Sequence, residues 1–288
     1  MPLTHVRTFR VRHYECDALG YLHPATYLRY MQEVAFDASA AAGYDMARYV
    51  AIGRQWLIHE TEIEVLRPLR YGESVAVKTW VADFRRVRSR RAYEFLRAGT
   101  GEEVARASTD WAFLDLASGR PVAIPSEMVD AFYPEGYADS ARTRTRPLSL
   151  PPRPPECFHR RWRVEWRDLD QAGHVNNATY LAYLEDGALQ AAAAFGWPPA
   201  RCQEEGFRVA SLGHQIEYRQ PAVLGDELEL ATWVADPDVS QAVRYHAIVR
   251  VSDGAPVLRA QTVWACLDLR TGAILAIPLL FLHGVCCG

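Results

Sequence analysis

Two patterns of hydrophobic positions run through this chain, one with the period of a strand and one with the period of a helix, and both occur twice. Trp162, Val164 and Trp166 alternate with Arg161, Arg163 and Glu165, which predicts a short strand with one face in a core and one toward water. From about residue 24 to 42, Tyr27, Tyr30, Met31, Val34 and Ala38 recur at helical spacing, and a second helix is predicted from about 177 to 195. Gly43 and Gly196 stand just past these helices, where a left-handed residue closes the last turn. Strand-like runs follow the first helix at 74–83, 88–97 and 104–115. A helix of about 28 Å, at 1.5 Å per residue, is long for so small a domain. The runs around it fit an antiparallel sheet curled about a largely buried helix, and the second helix is rich in Ala and Gly on faces that can touch neighbours.

The pattern recurs because the chain repeats itself. Asp17, Gly20, Ala25, Thr26, Tyr27 and Tyr30 reappear 153 residues later as Asp170, Gly173, Ala178, Thr179, Tyr180 and Tyr183. The same offset carries Ile63-Glu64 to Ile216-Glu217, Pro68 to Pro221, Gly72 to Gly225, Trp80-Val81-Ala82-Asp83 to Trp233-Val234-Ala235-Asp236, and Ala123-Ile124-Pro125 to Ala276-Ile277-Pro278. Solenoid repeats run to a few tens of residues, so this period is a duplicated domain. The expected division is a first domain at 1–133, a Pro- and Arg-rich linker at 134–156 and a second domain at 157–288, with the linker stiffened by Pro151-Pro152-Arg153-Pro154-Pro155. Two such α+β units can pair their sheets about a pseudo-twofold axis, as a homodimer would.

Composition narrows the function. A net charge of −3 and 49% hydrophobic residues describe a globular chain with no global attraction to nucleic acid or anionic membrane. Met1 leads into Val6-Arg7-Thr8-Phe9-Arg10-Val11 with no signal core, so a cytoplasmic location is expected. The apolar run from Ala273 to His283 is about half of what a membrane-spanning helix needs and is expected to pack. The six cysteines form no CxxC pair and no zinc or disulfide framework, and read as reduced thiols. Cys286-Cys287 at the tail matches no complete lipidation pattern.

The densest chemistry lies between the first strand and the helix of the second copy, where Asp168, Asp170, Gly173, His174, Asn176 and Asn177 fall within ten residues. Gly173 permits a tight turn and Asn176 is a good helix N-cap. The free N–H groups after the cap, with the helix dipole, make a site for developing negative charge on an oxygen. Asp170 is placed to attack a carbonyl or to activate a water, and the spacing does not choose between them. On spacing alone, Asp170 and Asn176 can equally serve to cap the helix, with His174 a satisfied turn residue.

The segment Trp166-Arg167-Asp168-Leu169-Asp170-Gln171-Ala172-Gly173-His174-Val175-Asn176-Asn177-Ala178-Thr179-Tyr180-Leu181 resembles the signature of hot-dog thioesterases. It is similar to the 4-hydroxybenzoyl-CoA thioesterase-like family and to acyl-ACP thioesterases, themselves tandem hot-dogs. The first half carries a weaker version, Glu15-Cys16-Asp17-Ala18-Leu19-Gly20-Tyr21-Leu22-His23-Pro24-Ala25-Thr26-Tyr27-Leu28. The resemblance implies two tandem hot-dog domains that hydrolyse acyl-CoA or acyl-ACP without metal or redox cofactor. It also implies Asp170 as the catalytic carboxylate, His174 as the motif histidine and helix-start amides that polarise the carbonyl, with Gly173 and Tyr180 beside the substrate. Ala172 and Gln220-Pro221 depart from the acyl-ACP thioesterase pattern, which favours a simpler Asp-centred network over the plant-type one.

Several residues carry two readings. In the first half Pro24 has no N–H to offer an oxyanion and Tyr21 replaces His174, so Asp17 and His23 either form a second site or belong to a scaffold that shapes the acyl-binding surface. Arg85, Arg86, Arg88, Arg90 and Arg91 are a basic cluster where the second half has Asp238 and Val239 with a single Arg244, either a solvated hairpin or, through Arg86 and Arg88, a contact for CoA phosphates or an acidic carrier. Glu185 is either a structural hydrogen-bond partner or a group at the substrate. A non-catalytic acyl-thioester-binding domain and, with less support, a hot-dog hydratase or dehydratase are the competing functions. Exposed sheet edges and helix faces leave further self-association open.

Overall fold

The computed structural model describes residues 1–137, 148–235, 238 and 240–286, and the chain forms two compact units, 1–146 and 147–288. Part of the expected linker and the Cys286-Cys287 tail pair, apart from the backbone of Cys286, lie outside the described residues.

The N-terminal unit opens with strand β1 (Thr4–Arg10), a 3₁₀ turn at His13–Glu15 and helix α1 (Pro24–Ala41). The short helix α2 (Met46–Ala51) leads into strands β2 (Arg54–Val65), β3 (Ser74–Phe84), β4 (Arg88–Arg97) and β5 (Glu103–Asp115), and helix α3 (Ser126–Phe132) follows. The strands form an antiparallel sheet in the order β1-β3-β4-β5-β2, with α1 packed on β1 and β3. Tyr27, Tyr30, Met31, Val34 and Ala38, the helical stripe of the sequence, are all buried. Each large apolar side chain so buried contributes about 1.5–3 kcal/mol, which outweighs the weak helix propensity of the Tyr and Val in this stripe.

The C-terminal unit repeats the order with strand β6 (Phe158–Arg163), a 3₁₀ turn at Trp166–Asp168, helix α4 (Asn177–Ala194) and helix α5 (Pro199–Glu204). Strands β7 (Phe207–Tyr218), β8 (Glu227–Ala235), β9 (Ala242–Arg250) and β10 (Pro256–Asp268) follow, with the short β11 (Ile274–Leu275) on β10 and helix α6 (Leu279–Cys286) at the end. Their order is β7-β10-β9-β8-β6, antiparallel throughout. Registers repeat with the period: Val81↔Arg91 and Arg91↔Thr109 in one sheet correspond to Val234↔Arg244 and Arg244↔Thr262 in the other.

Three details refine the expectations. The alternating strand of the second copy ends at Arg163, and Trp166 stands 79% exposed in the 3₁₀ turn. The turn forms because the Asp168 carboxylate accepts the Glu165 N–H at 2.8 Å, which bends the chain before the alternation can continue. The apolar run at 273–283 divides between β11 and α6, with Phe281 packed among Trp197, Phe207 and Trp264, and no helix among the described residues is long and apolar enough to cross a membrane. In α4, Gly187 takes the place of Val34 of α1, and a Cβ there would run into the end of the Leu230 side chain.

Candidate functional site

The candidate site of the C-terminal unit is a turn pinned at both ends. Asp170 N–H donates to the His174 carbonyl at 3.0 Å, and Gly173 N–H to the Asp170 carbonyl at 3.0 Å. Gly173 sits at φ 79°, a left-handed conformation that a side chain would strain. Asp170 Oδ1 accepts the Ala172 N–H at 2.9 Å, and His174 Nδ1 lies 3.9 Å from the same oxygen. Both side chains are about a quarter exposed, at 26% each. The Asp170 carboxylate therefore braces its own turn and does not cap α4.

Capping belongs to Asn176, whose Oδ1 accepts the Ala178 N–H at 2.9 Å. Its carbonyl accepts the Thr179 N–H at 2.9 Å. Neither the N–H nor the side-chain amide of Asn177 meets a hydrogen-bond partner among the described residues, while its carbonyl accepts from the Tyr218 hydroxyl at 3.3 Å. Asn177 thus leaves an open donor at the first helical position, on the positive end of an 18-residue helix.

A strap at 221–226 fixes the turn from outside. Val175 N–H donates to the Ala222 carbonyl at 2.9 Å, and His174 bridges Val223. Arg250 clamps the strap, bonding the Pro221 carbonyl at 2.8 Å and the Asp226 carboxylate at 3.1 Å. The first unit has the same clamp: Arg97 bonds Glu73 and the Pro68 carbonyl, the latter at 3.3 Å. Tyr218 and Arg250 were not among the candidates. Tyr218 had a sequence signal, since it breaks the repeat where the first copy has Val65.

Other expected residues sort by geometry. Tyr180 is 3% exposed and its hydroxyl accepts the Ala222 N–H at 3.2 Å, so its ring belongs to the core and its oxygen to the strap. Glu185 accepts the Ser211 hydroxyl at 3.3 Å. In the N-terminal unit, Asp17 Oδ1 already accepts two backbone N–H groups, from Leu19 and Tyr21, at 2.9 Å each. His23 is the N-cap of α1, its Nδ1 accepting the Ala25 N–H at 3.3 Å, and Pro24 follows with no N–H to offer. Asp17 and His23 are thus engaged in building the turn and the cap.

The basic cluster divides along the strand alternation. Arg86 and Arg88 are exposed, with no side-chain partner among the described residues. Arg90 pairs with Glu62 at 2.7 Å and Asp110 at 3.2 Å, and Arg91 is buried on the opposite face. Cysteine chemistry is disfavoured: burial raises the thiol pKa of Cys16, Cys157 and Cys202, and pushes Cys266 up to about 12.

Both halves of the chain match known protein families. Residues 2–132 match the acyl-ACP thioesterase N-terminal domain family, and residues 164–283 match the thioesterase-like superfamily. The long-chain acyl-CoA thioesterase FadM of Escherichia coli is 31% identical over 118 residues, which cover 40% of this chain and 86% of that protein. The chain belongs to the tandem hot-dog acyl thioesterase family. Within that family, a chloroplastic acyl-(acyl-carrier-protein) hydrolase of Cuphea viscosissima is 25% identical over 269 residues, 90% of this chain. This chain spans 62% of that hydrolase's length. The 12:0-ACP thioesterase from Umbellularia californica shares the fold with a TM-score of 0.72 at 21% identity, over 91% of this chain and 94% of its own.

Proposed function

We propose that the chain hydrolyses acyl thioesters of coenzyme A or of acyl carrier protein at the turn that leads into α4. The observation that carries this reading is the open N–H of Asn177 at the helix start, reached through a turn that holds a partly exposed Asp170 carboxylate away from capping duty. Family membership supports the substrate class.

In this reading the thioester carbonyl oxygen takes up negative charge against the Asn177 N–H and the α4 dipole as the tetrahedral intermediate forms. Asp170 either removes a proton from the attacking water or attacks the carbonyl itself, forming an anhydride that water then opens. Both routes consume one water and release one carboxylic acid and one thiol. His174, 3.9 Å from Asp170, orients the carboxylate, and the Arg250-clamped strap holds the turn at the helix end. Asp17 and His23 contribute scaffold, because Pro24 withholds the donor that Asn177 supplies.

The test is thiol release from CoA and carrier-protein thioesters ranging from acetyl to stearoyl, with one aromatic acyl group. Thiol and free acid appearing one for one on any of them supports the reading. Binding without release across the whole panel favours the non-catalytic acyl-thioester-binding domain.

A further inference from the structure

Arg91 is the anomaly of the N-terminal unit. On β4, Ser89, Arg91, Tyr93 and Phe95 alternate as the buried face, and Arg91 is 6% exposed. Several arginines of this unit that are partly withdrawn from water find carboxylates: Arg90 has Glu62 and Asp110, Arg97 has Glu73 and Glu102, Arg54 has Asp115, and Arg7 has Asp37. The Arg91 guanidinium meets no carboxylate, carbonyl or hydroxyl at hydrogen-bonding distance among the described residues; its neighbour is the Phe132 ring at 5.6 Å.

The hydroxyls around it are engaged elsewhere. Tyr49 accepts from Trp56 Nε1 at 3.1 Å, and Tyr93 shares a hydrogen bond with Thr109 at 3.1 Å. Burial lowers the Arg91 pKa from its ordinary value, with Tyr93 and Tyr49 opposing weakly. A cation–π contact returns only a fraction of what it costs to strip a guanidinium of water, and buried charges in folded chains are paired. The surroundings are otherwise aromatic and apolar, with Tyr44, Phe84 and Phe113 in the same cluster.

We propose that Arg91 anchors a carboxylate-binding site inside the N-terminal unit, for an organic acid whose hydrocarbon or aromatic body packs against Phe132 and Tyr49. The planar guanidinium offers the paired N–H donors that a carboxylate accepts in bidentate fashion, and the aromatic walls suit an apolar body. The free acid that hydrolysis releases supplies such a group. The site stands without the hydrolase reading, and only this source for its ligand rests on it.

The experiment is calorimetric titration of the full chain with octanoate, decanoate and benzoate beside their neutral amides, using the parental protein, Arg91→Met and Arg91→Lys. The parental protein binds at least one acid about tenfold or more tightly than its amide, a difference of about 1.4 kcal/mol. Arg91→Met brings the pair within about twofold, and Arg91→Lys retains part of the preference. Arg91→Met melts at or above the parental temperature, because it removes a buried unpaired charge, and this guards against misfolding. An unchanged acid-to-amide ratio in Arg91→Met, or no preference in the parental protein, overturns the proposal. Thiol release then tests the source: inhibition by octanoate in the parental protein, lost in Arg91→Met, assigns the released acid.

Discussion

Replacing Asn177 with proline removes one hydrogen atom's worth of chemistry from the candidate site and little else. The N-terminal unit has already carried out the control: His23 precedes Pro24 at φ −64°, ψ 132°, and Asn176 precedes Asn177 at φ −62°, ψ 139°. Those angles are the extended ones that a residue before proline requires, and proline is favoured at the first helical position. Asn177→Pro therefore folds with its melting temperature close to the parental one. The N–H it deletes has no partner among the described residues, so no internal hydrogen bond is lost with it. If that N–H stabilises the oxyanion, kcat falls by about 10²–10³-fold, or about 2.7–4 kcal/mol of transition-state stabilisation, with KM nearly unchanged. Asn177→Ala keeps the N–H and holds kcat within a few-fold. Steady-state thiol release and a thermal melt on each variant suffice. Asn177→Pro at near-parental kcat, or Asn177→Ala falling as far as the proline variant, would refute the assignment.

Two further outcomes follow from the packing. Gly187→Ala drives a methyl into the buried Leu230 side chain and costs about 1–3 kcal/mol by denaturant unfolding, with part of the loss recovered by Leu230→Ala in the double variant. His246, 1% exposed, has its pKa pushed well below the ordinary 6.5 by burial, then by Arg244 and His214. Its folded form stays neutral while the unfolded chain takes up a proton, so the stability it contributes is complete above pH 6.5 and declines as pH falls below that value. The decline approaches about 1.4 kcal/mol per pH unit for this one group, and unfolding midpoints of the parental protein and His246→Phe between pH 7.5 and 5 measure it, with a flatter profile expected in the variant.

The duplication made much of the architecture readable, because each pattern is written twice and errors in one copy are checked by the other. The helices were expected at 24–42 and 177–195 and are found at Pro24–Ala41 and Asn177–Ala194. Trp166 was misplaced because alternation alone continues through it, whereas the side chain of Asp168 turns the chain. Arg90 and Arg91 read as members of one patch until the strand alternation puts them on opposite faces, a separation that period two implies but that a count of charges hides. The Asp170–His174 turn and the Asn176 cap were legible because both are local. The Arg250 clamp and the Tyr218 contact were not, because they join residues 29 and 41 positions apart and exist only once the sheet is formed.

In the proposed mechanism, chemistry resides at Asp170 and not at its repeat partner Asp17. Thiol release on the best substrate of the panel, measured for Asp170→Asn and Asp17→Asn beside the parental protein, tests it most directly. The expected result is a loss of about 10²–10⁴-fold or more in Asp170→Asn, with substrate affinity retained and Asp17→Asn near parental. Parental turnover in Asp170→Asn, or an equal loss in both variants, would contradict it.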